Sequence, residues 1–116
     1  MPAMAPGDIF ERAIAAALDE VPAALGARVD NLEVLVGEEN DEEPDLYGLY
    51  EGTPLTERGS DHFGPPDIIH VYRRPLLEDF GDDPEELAAE IRVTVLHELG
   101  HYFGIDEDRL EDLGWA

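Results

Sequence analysis

The sequence predicts an α+β domain: a small sheet of about three strands packed on an N-terminal helix and a long helix near the other end. Three observations predict it. An apolar stripe recurs at helical spacing between residues 9 and 21, three short β-prone runs occupy the middle of the chain, and a well-marked helix start at Asp83 opens a periodic run that lasts to Gly104. At 116 residues the chain is one domain's worth, so residues 1–116 are read as a single domain.

The first helix opens on Asp8 with Glu11 three residues later, a capping-box pattern. Ile9, Phe10, Ala13, Ile14, Ala17, Leu18 and Val21 then fall on one face, and Pro22 and Gly26 break the pattern. Asn31 to Val36 alternates, with Leu32, Val34 and Val36 on one side and Glu33 on the other, as a strand does. Glu38 to Asp45 is an acidic, turn-rich loop, read as a solvated surface; a calcium loop would alternate its carboxylates around a glycine.

Leu46 to Tyr50 is a second short strand, and a long connection from Gly52 ends at Gly64-Pro65-Pro66. Ile68 to Tyr72 is the clearest strand signal, with Pro75 closing it and a short helical turn expected over Leu76–Phe80. Asp83-Pro84-Glu85-Glu86 supplies an N-cap, a proline at the first helical position and acids that suit the helix dipole. That helix is expected to reach about Phe103, with Gly104 as its stop, and a last short helix covers Glu107–Leu113.

Composition removes several function classes. The net charge is −22, all seven basic residues are arginine, and there is no lysine. A nucleic-acid partner needs a basic footprint, and anionic lipid headgroups attract basic segments, so neither nucleic acid nor membrane is an expected partner. The N-terminus has no basic leader followed by an apolar run, and the cytoplasm is the default location. With no cysteine, disulfides and thiolate sites are excluded, so any metal site must be built from His, Asp and Glu.

Such a set occurs in the long helix, at His97-Glu98-Leu99-Gly100-His101. Histidines four residues apart lie one turn apart on one helix face, so both rings reach a single ion. Glu98 is rotated about 100° from His97, placing it to flank a metal and to work as general base on its water. The five residues alone are suggestive; their continuation is more specific. Gly104 can take positive φ and fold the chain back, bringing an acid three residues on under the histidines. Glu107 is the expected third ligand, with Asp108 as runner-up and Asp106 as a further rival.

The run Val93-Thr94-Val95-Leu96-His97-Glu98-Leu99-Gly100-His101-Tyr102-Phe103-Gly104 resembles the zincin metallopeptidases, and more narrowly the bacterial single-domain minimal zincins. Tyr47 to Gly59 and Ile69 to Pro75 support the resemblance, which covers most of the chain from Val29 to Trp115. It implies a zincin-like α+β fold with a small mixed sheet, one Zn2+ held by two histidines and an acid, and glutamate-assisted attack of water on a peptide carbonyl. It also implies a peptide or protein substrate, with Ile68–Tyr72 as the strand that lines the cleft. The family usually carries aspartate where this chain has Glu107. Met1 and Met4 both lie far from the motif, so the methionine turn of the metzincins is absent; Trp115 is an alternative apolar floor.

Other residues have plainer readings. His70 is a half-buried strand histidine, His62 a surface one, and Arg58, Arg73 and Arg74 surface counter-charges. Tyr72 and Tyr102 are packing residues first and oxyanion donors second. Nine residues follow Glu107, so the lower cleft wall of larger zincins is expected to be missing, with weak catalysis or a homodimer that completes the groove. The alternatives to a zinc metallopeptidase are a catalytically inactive zincin-fold domain that binds a metal or a partner, and an acidic interaction module built on the Glu38–Asp45 loop.

Overall fold

The computed structural model describes residues 6–21, 32–52 and 67–115, with the backbone alone for residues 6–8. Four helices and three strands run in the order α1 (Pro6–Asp19), β1 (Leu32–Gly37), β2 (Gly48–Glu51), β3 (Asp67–Tyr72), α2 (Arg73–Phe80), α3 (Pro84–Tyr102) and α4 (Glu107–Leu113). This is the expected α+β architecture, a mixed three-stranded sheet against an early helix and a long one. The Asp8 side chain, Arg58, His62 and the breaks at Pro22, Gly26 and Gly64-Pro65-Pro66 lie outside the described residues.

Helix α1 starts at Pro6, so a proline occupies its first position and Asp8 sits inside the first turn instead of preceding it. Its stripe faces the core as its spacing requires: Phe10 and Ala17 are fully buried, with Ala13 and Ile14 beside them. Helix α3 packs against α1 on one side and against β2, β3 and α2 on others, which makes it apolar around much of its circumference. Leu87, Ile91, Val95 and Leu99 recur every four residues along its buried face, and Leu96 and Tyr102 extend the apolar surface. A two-pronged ion pair of Arg92 with Glu20 ties the end of α1 to α3, and the guanidinium holds the Glu20 carboxyl below its usual range.

The sheet order is β1-β3-β2, with β3 parallel to β1 and antiparallel to β2. Ile69 and Val71 point from β3 into the core, and Ile68, His70 and Tyr72 alternate to the opposite face. The strand expected to line a cleft is therefore the central one. Both of its edges are occupied, and only β1 and β2 have an edge without a strand among the described residues. Alternation reports which face of a strand is buried and is silent about which strands flank it. In β1, Leu32 and Val34 are half-buried as the pattern requires, while Val36 is exposed near the end of this edge strand.

The second strand begins two residues later than its sequence suggests, because Leu46 donates its N–H back to Glu43 in a turn. Pro75 does not stop β3. The chain enters α2 at Arg73, and the proline is buried in that helix's first turn, where no N–H is needed. Asp83 caps α3 as expected, accepting from the N–H groups of Glu85 and Glu86. Helices α3 and α4 end alike. Gly104, at φ 78°, and Gly114, also at φ 78°, are left-handed, a conformation that most side chains resist. Gly104 N–H donates to His101 and Ile105 N–H to Gly100; Gly114 N–H donates to Glu111 and Trp115 N–H to Leu110. Both are Schellman motifs.

Since Ile91 is fully buried in the core, Ile91→Ala is expected to cost ~2–5 kcal/mol of unfolding free energy in urea. Leu35→Ala, at a position 46% exposed on an edge strand, is expected to stay within ~0.5 kcal/mol of wild type. Equal losses in the two variants would misplace the core.

Candidate metal centre

His97 and His101 sit two positions from Val95 and Leu99, about 200° around the helix from the buried stripe. They therefore emerge on the opposite side of α3, each partly exposed. Their Nε2 atoms are 3.2 Å apart, and the rings meet edge to face with centroids 4.8 Å apart. Two imidazole nitrogens that close share either a proton or a cation.

A carboxylate from α4 approaches both rings. The Gly104 turn reverses the chain, and α4 lies back on α3 so closely that a Cβ on Gly100 would stand 2.2 Å from Cδ2 of the fully buried Leu110. This approach brings Glu107 Oε1 to 3.5 Å from His97 Nε2 and 3.3 Å from His101 Nε2. The three atoms form a nearly equilateral triangle. An ion bound tetrahedrally at roughly 2.0–2.1 Å keeps its ligand atoms about 3.3–3.4 Å apart, so the triangle has the size of a zinc site. Two imidazoles and one carboxylate also make a donor set suited to Zn2+ with a position left open. Of the rival acids, Asp106 is committed elsewhere: it caps α4, its carboxylate accepting from Arg109 N–H at 2.9 Å. Asp108 lies exposed in the same turn.

Glu98 also offers an oxygen within 4.8 Å of both histidines, so the group has two candidate carboxylates. Its surroundings differ from those of Glu107. It turns toward β2, where a Cβ on Gly48 would lie 3.4 Å from Glu98 Cγ and 2.6 Å from Thr94 Cγ2. Strand and helix approach this closely because position 48 has no side chain. The main-chain N–H of Tyr50 donates to the Glu98 carboxylate. Burial pushes the Glu98 carboxyl above its usual range, against the pull of His101, His97 and the Tyr50 N–H, with Glu107 adding a smaller push upward.

The Tyr50 amide, Gly48 and Gly100 are contributors that sequence reasoning missed. The first is a main-chain group, and the glycines matter through contacts with distant elements. Trp115 is half-buried against the core, and its main-chain carbonyl lies 3.3 Å from His97 Nδ1.

The remaining candidates have other surroundings. His70 is on the outer sheet face, with Nε2 2.8 Å from Glu51 Oε1 and its ring stacked on Tyr72. Tyr72 is buried and its hydroxyl accepts from Asn40 Nδ2 at 3.0 Å. Tyr102 is buried in the core, edge-on to Tyr50. Arg73 pairs with Glu38, and Arg74 with Glu39 and Glu78, so both arginines act as counter-charges that pin the acidic loop to α2.

A family model described as zincin-like metallopeptidase matches residues 18–115. No curated protein matches the chain. Among the described residues, no helix is long and apolar enough to cross a membrane.

A carboxyl whose folded pKa is raised binds its proton more tightly when folded than when unfolded, so its contribution to stability is lost as pH rises through the carboxylate range. In metal-free protein, Glu98→Gln keeps an acceptor for Tyr50 N–H without the charge. The variant is therefore expected to gain stability relative to wild type as pH rises from about 4 to about 7, measured as the difference in urea unfolding free energy. A difference that does not change with pH would contradict the burial of this carboxylate.

Proposed function

The chain belongs to the zincin-like metallopeptidases, and on that premise we propose that it is a zinc-dependent peptidase. The observation that carries the reading is the triangle of His97 Nε2, His101 Nε2 and Glu107 Oε1, with edges of 3.2, 3.3 and 3.5 Å. These three residues would hold the zinc. When bound, zinc supplies Lewis acidity, lowering the pKa of a coordinated water toward roughly 7 and polarising the substrate carbonyl.

Glu98 is the general base. Its carboxylate accepts a proton from the attacking water and then delivers it to the nitrogen that leaves the peptide bond. Burial makes it a stronger base than an exposed glutamate, and the Tyr50 N–H orients it. A site that only stored metal would have no use for a carboxylate in this place. The substrate is a peptide or protein segment in extended form. Strand β2, beside α3 and with one edge carrying no strand among the described residues, offers main-chain groups for it to pair with. Residues 1–116 then work as one domain with a single site.

Zinc titration of metal-free protein is expected to show binding near one equivalent. It should weaken by at least about 100-fold in His101→Ala and in Glu107→Ala, each of which removes one of three ligands. Indifference to Glu107→Ala would hand the third position to Glu98 or Asp108, and no binding by wild type would end the zinc reading. On a mixed peptide library, zinc-loaded Glu98→Gln is expected to lose at least about 100-fold in kcat/KM, the scale of general-base catalysis. Zinc binding without cleavage in either protein would favour the alternative of an inactive zincin-fold domain that binds a metal or a partner.

A further inference from the structure

The segment that follows α3 meets His97 on two sides of its ring. Glu107 brings a carboxylate oxygen toward Nε2, and Trp115 brings its main-chain carbonyl oxygen to 3.3 Å from Nδ1. A carbonyl oxygen only accepts, so this contact places the ring proton on Nδ1. The Nε2 lone pair is then free on the side where His101 and Glu107 converge. Of the two neutral tautomers, this is the one a metal bound at Nε2 needs, and an acceptor behind the ring also holds its plane.

What aims the Trp115 carbonyl is the Schellman motif at the end of α4. Gly114 is left-handed at φ 78° and ψ 22°; its N–H donates to the Glu111 carbonyl at 3.1 Å, and Trp115 N–H donates to the Leu110 carbonyl at 2.9 Å. Leu110, at the other end of that bond, is the fully buried residue that seats α4 against Gly100. One short path thus links the helix contact, the turn and the histidine. A Cβ at position 114 would meet nothing within 4 Å, so Gly114 is required by its backbone conformation and not by lack of space.

We propose that the Trp115 main-chain carbonyl, aimed by the left-handed turn at Gly114, is the positioning group that fixes the tautomer and orientation of His97. Residues 104–115 then act as one clamp, delivering the Glu107 carboxylate to one side of the centre and the outer acceptor to the other. This inference rests on the zinc-site reading for its function, while its geometry is independent of that reading.

Substitution at Gly114 tests it on the full-length chain. Valine strongly resists the left-handed conformation, whereas asparagine tolerates it. Gly114→Val is expected to lower zinc affinity about 10–100-fold, the usual cost of losing an outer partner of a metal-bound histidine. Gly114→Asn is expected to stay within about threefold of wild type, because the turn survives. Nitrogen NMR of the His97 ring in metal-free protein is expected to show Nδ1 protonated in wild type and Gly114→Asn, with that preference lost in Gly114→Val. A urea unfolding transition of Gly114→Val with wild-type cooperativity separates a local loss of this contact from general unfolding, which would abolish the transition. The proposal is overturned if wild-type His97 is protonated on Nε2, or if Gly114→Val binds zinc as tightly as wild type. Failure of wild type to bind zinc, with the Nδ1 tautomer intact and sensitive to Gly114→Val, would count against the zinc reading alone.

Discussion

The burial of α3 is the constraint from which the other elements take their places. Its stripe from Leu87 to Leu99 is covered by α1 and by the inner face of the sheet, and β2 comes close enough to touch Thr94 and Glu98. A helix held on that many sides cannot rotate, because a turn of even one residue, about 100°, would carry Leu99 toward solvent and a histidine into the core. The hydrophobic effect acts on residues that do no chemistry, and it thereby sets the bearing of those that can. His97 and His101 face out because Val95 and Leu99 face in.

The second determinant is the absence of side chains at a few contact points. Gly48 lets a strand lie on the helix beside Glu98, and Gly100 lets α4 lie on it beside the histidines. Gly100 would be an odd choice on local grounds alone, since glycine within a helix is destabilising by roughly 0.5–1 kcal/mol relative to alanine. Here that cost is offset by the packing of Leu110 and by the approach of two elements to the same turn of α3. The centre is thus assembled between elements that are rigid on their own account.

How much of this is legible in the sequence depends on whether the information is local. The boundaries of α3 and α4 are readable because Asp83-Pro84, Gly104 and the acid-rich start at Glu107 act within a turn of themselves. His97, Glu98 and His101 are readable for the same reason, since helix geometry alone fixes their relation. The strands are readable as strands, but their order is not: Ile68–Tyr72 has the composition of a strand that is buried, and nothing in it says that it lies between the other two. Pro75 misleads because proline signals a break in most contexts yet is welcome in a helix's first turn. The Tyr50 amide and the Trp115 carbonyl have no residue-type signature, because every residue but proline carries the same backbone donor and acceptor.

The strand order has a consequence for how the chain becomes a sheet. β3 is the last strand in sequence and the central one in space, and among the described residues β1 and β2 pair only with it. Among the described residues, neither early strand has a ladder partner until β3 has been made. The parallel pair sets Leu32 opposite Asp67, so its loop-closure entropy must be met in one long step, the kind that slows folding. Once β3 arrives, both ladders can zip from the same strand. Its inner residues Ile69 and Val71 then offer α3, which emerges after α2, a surface to collapse on. In kinetic terms the sheet is closed by a keystone and not grown from an edge, and the half of the chain that bears the histidines is also the half that completes the fold.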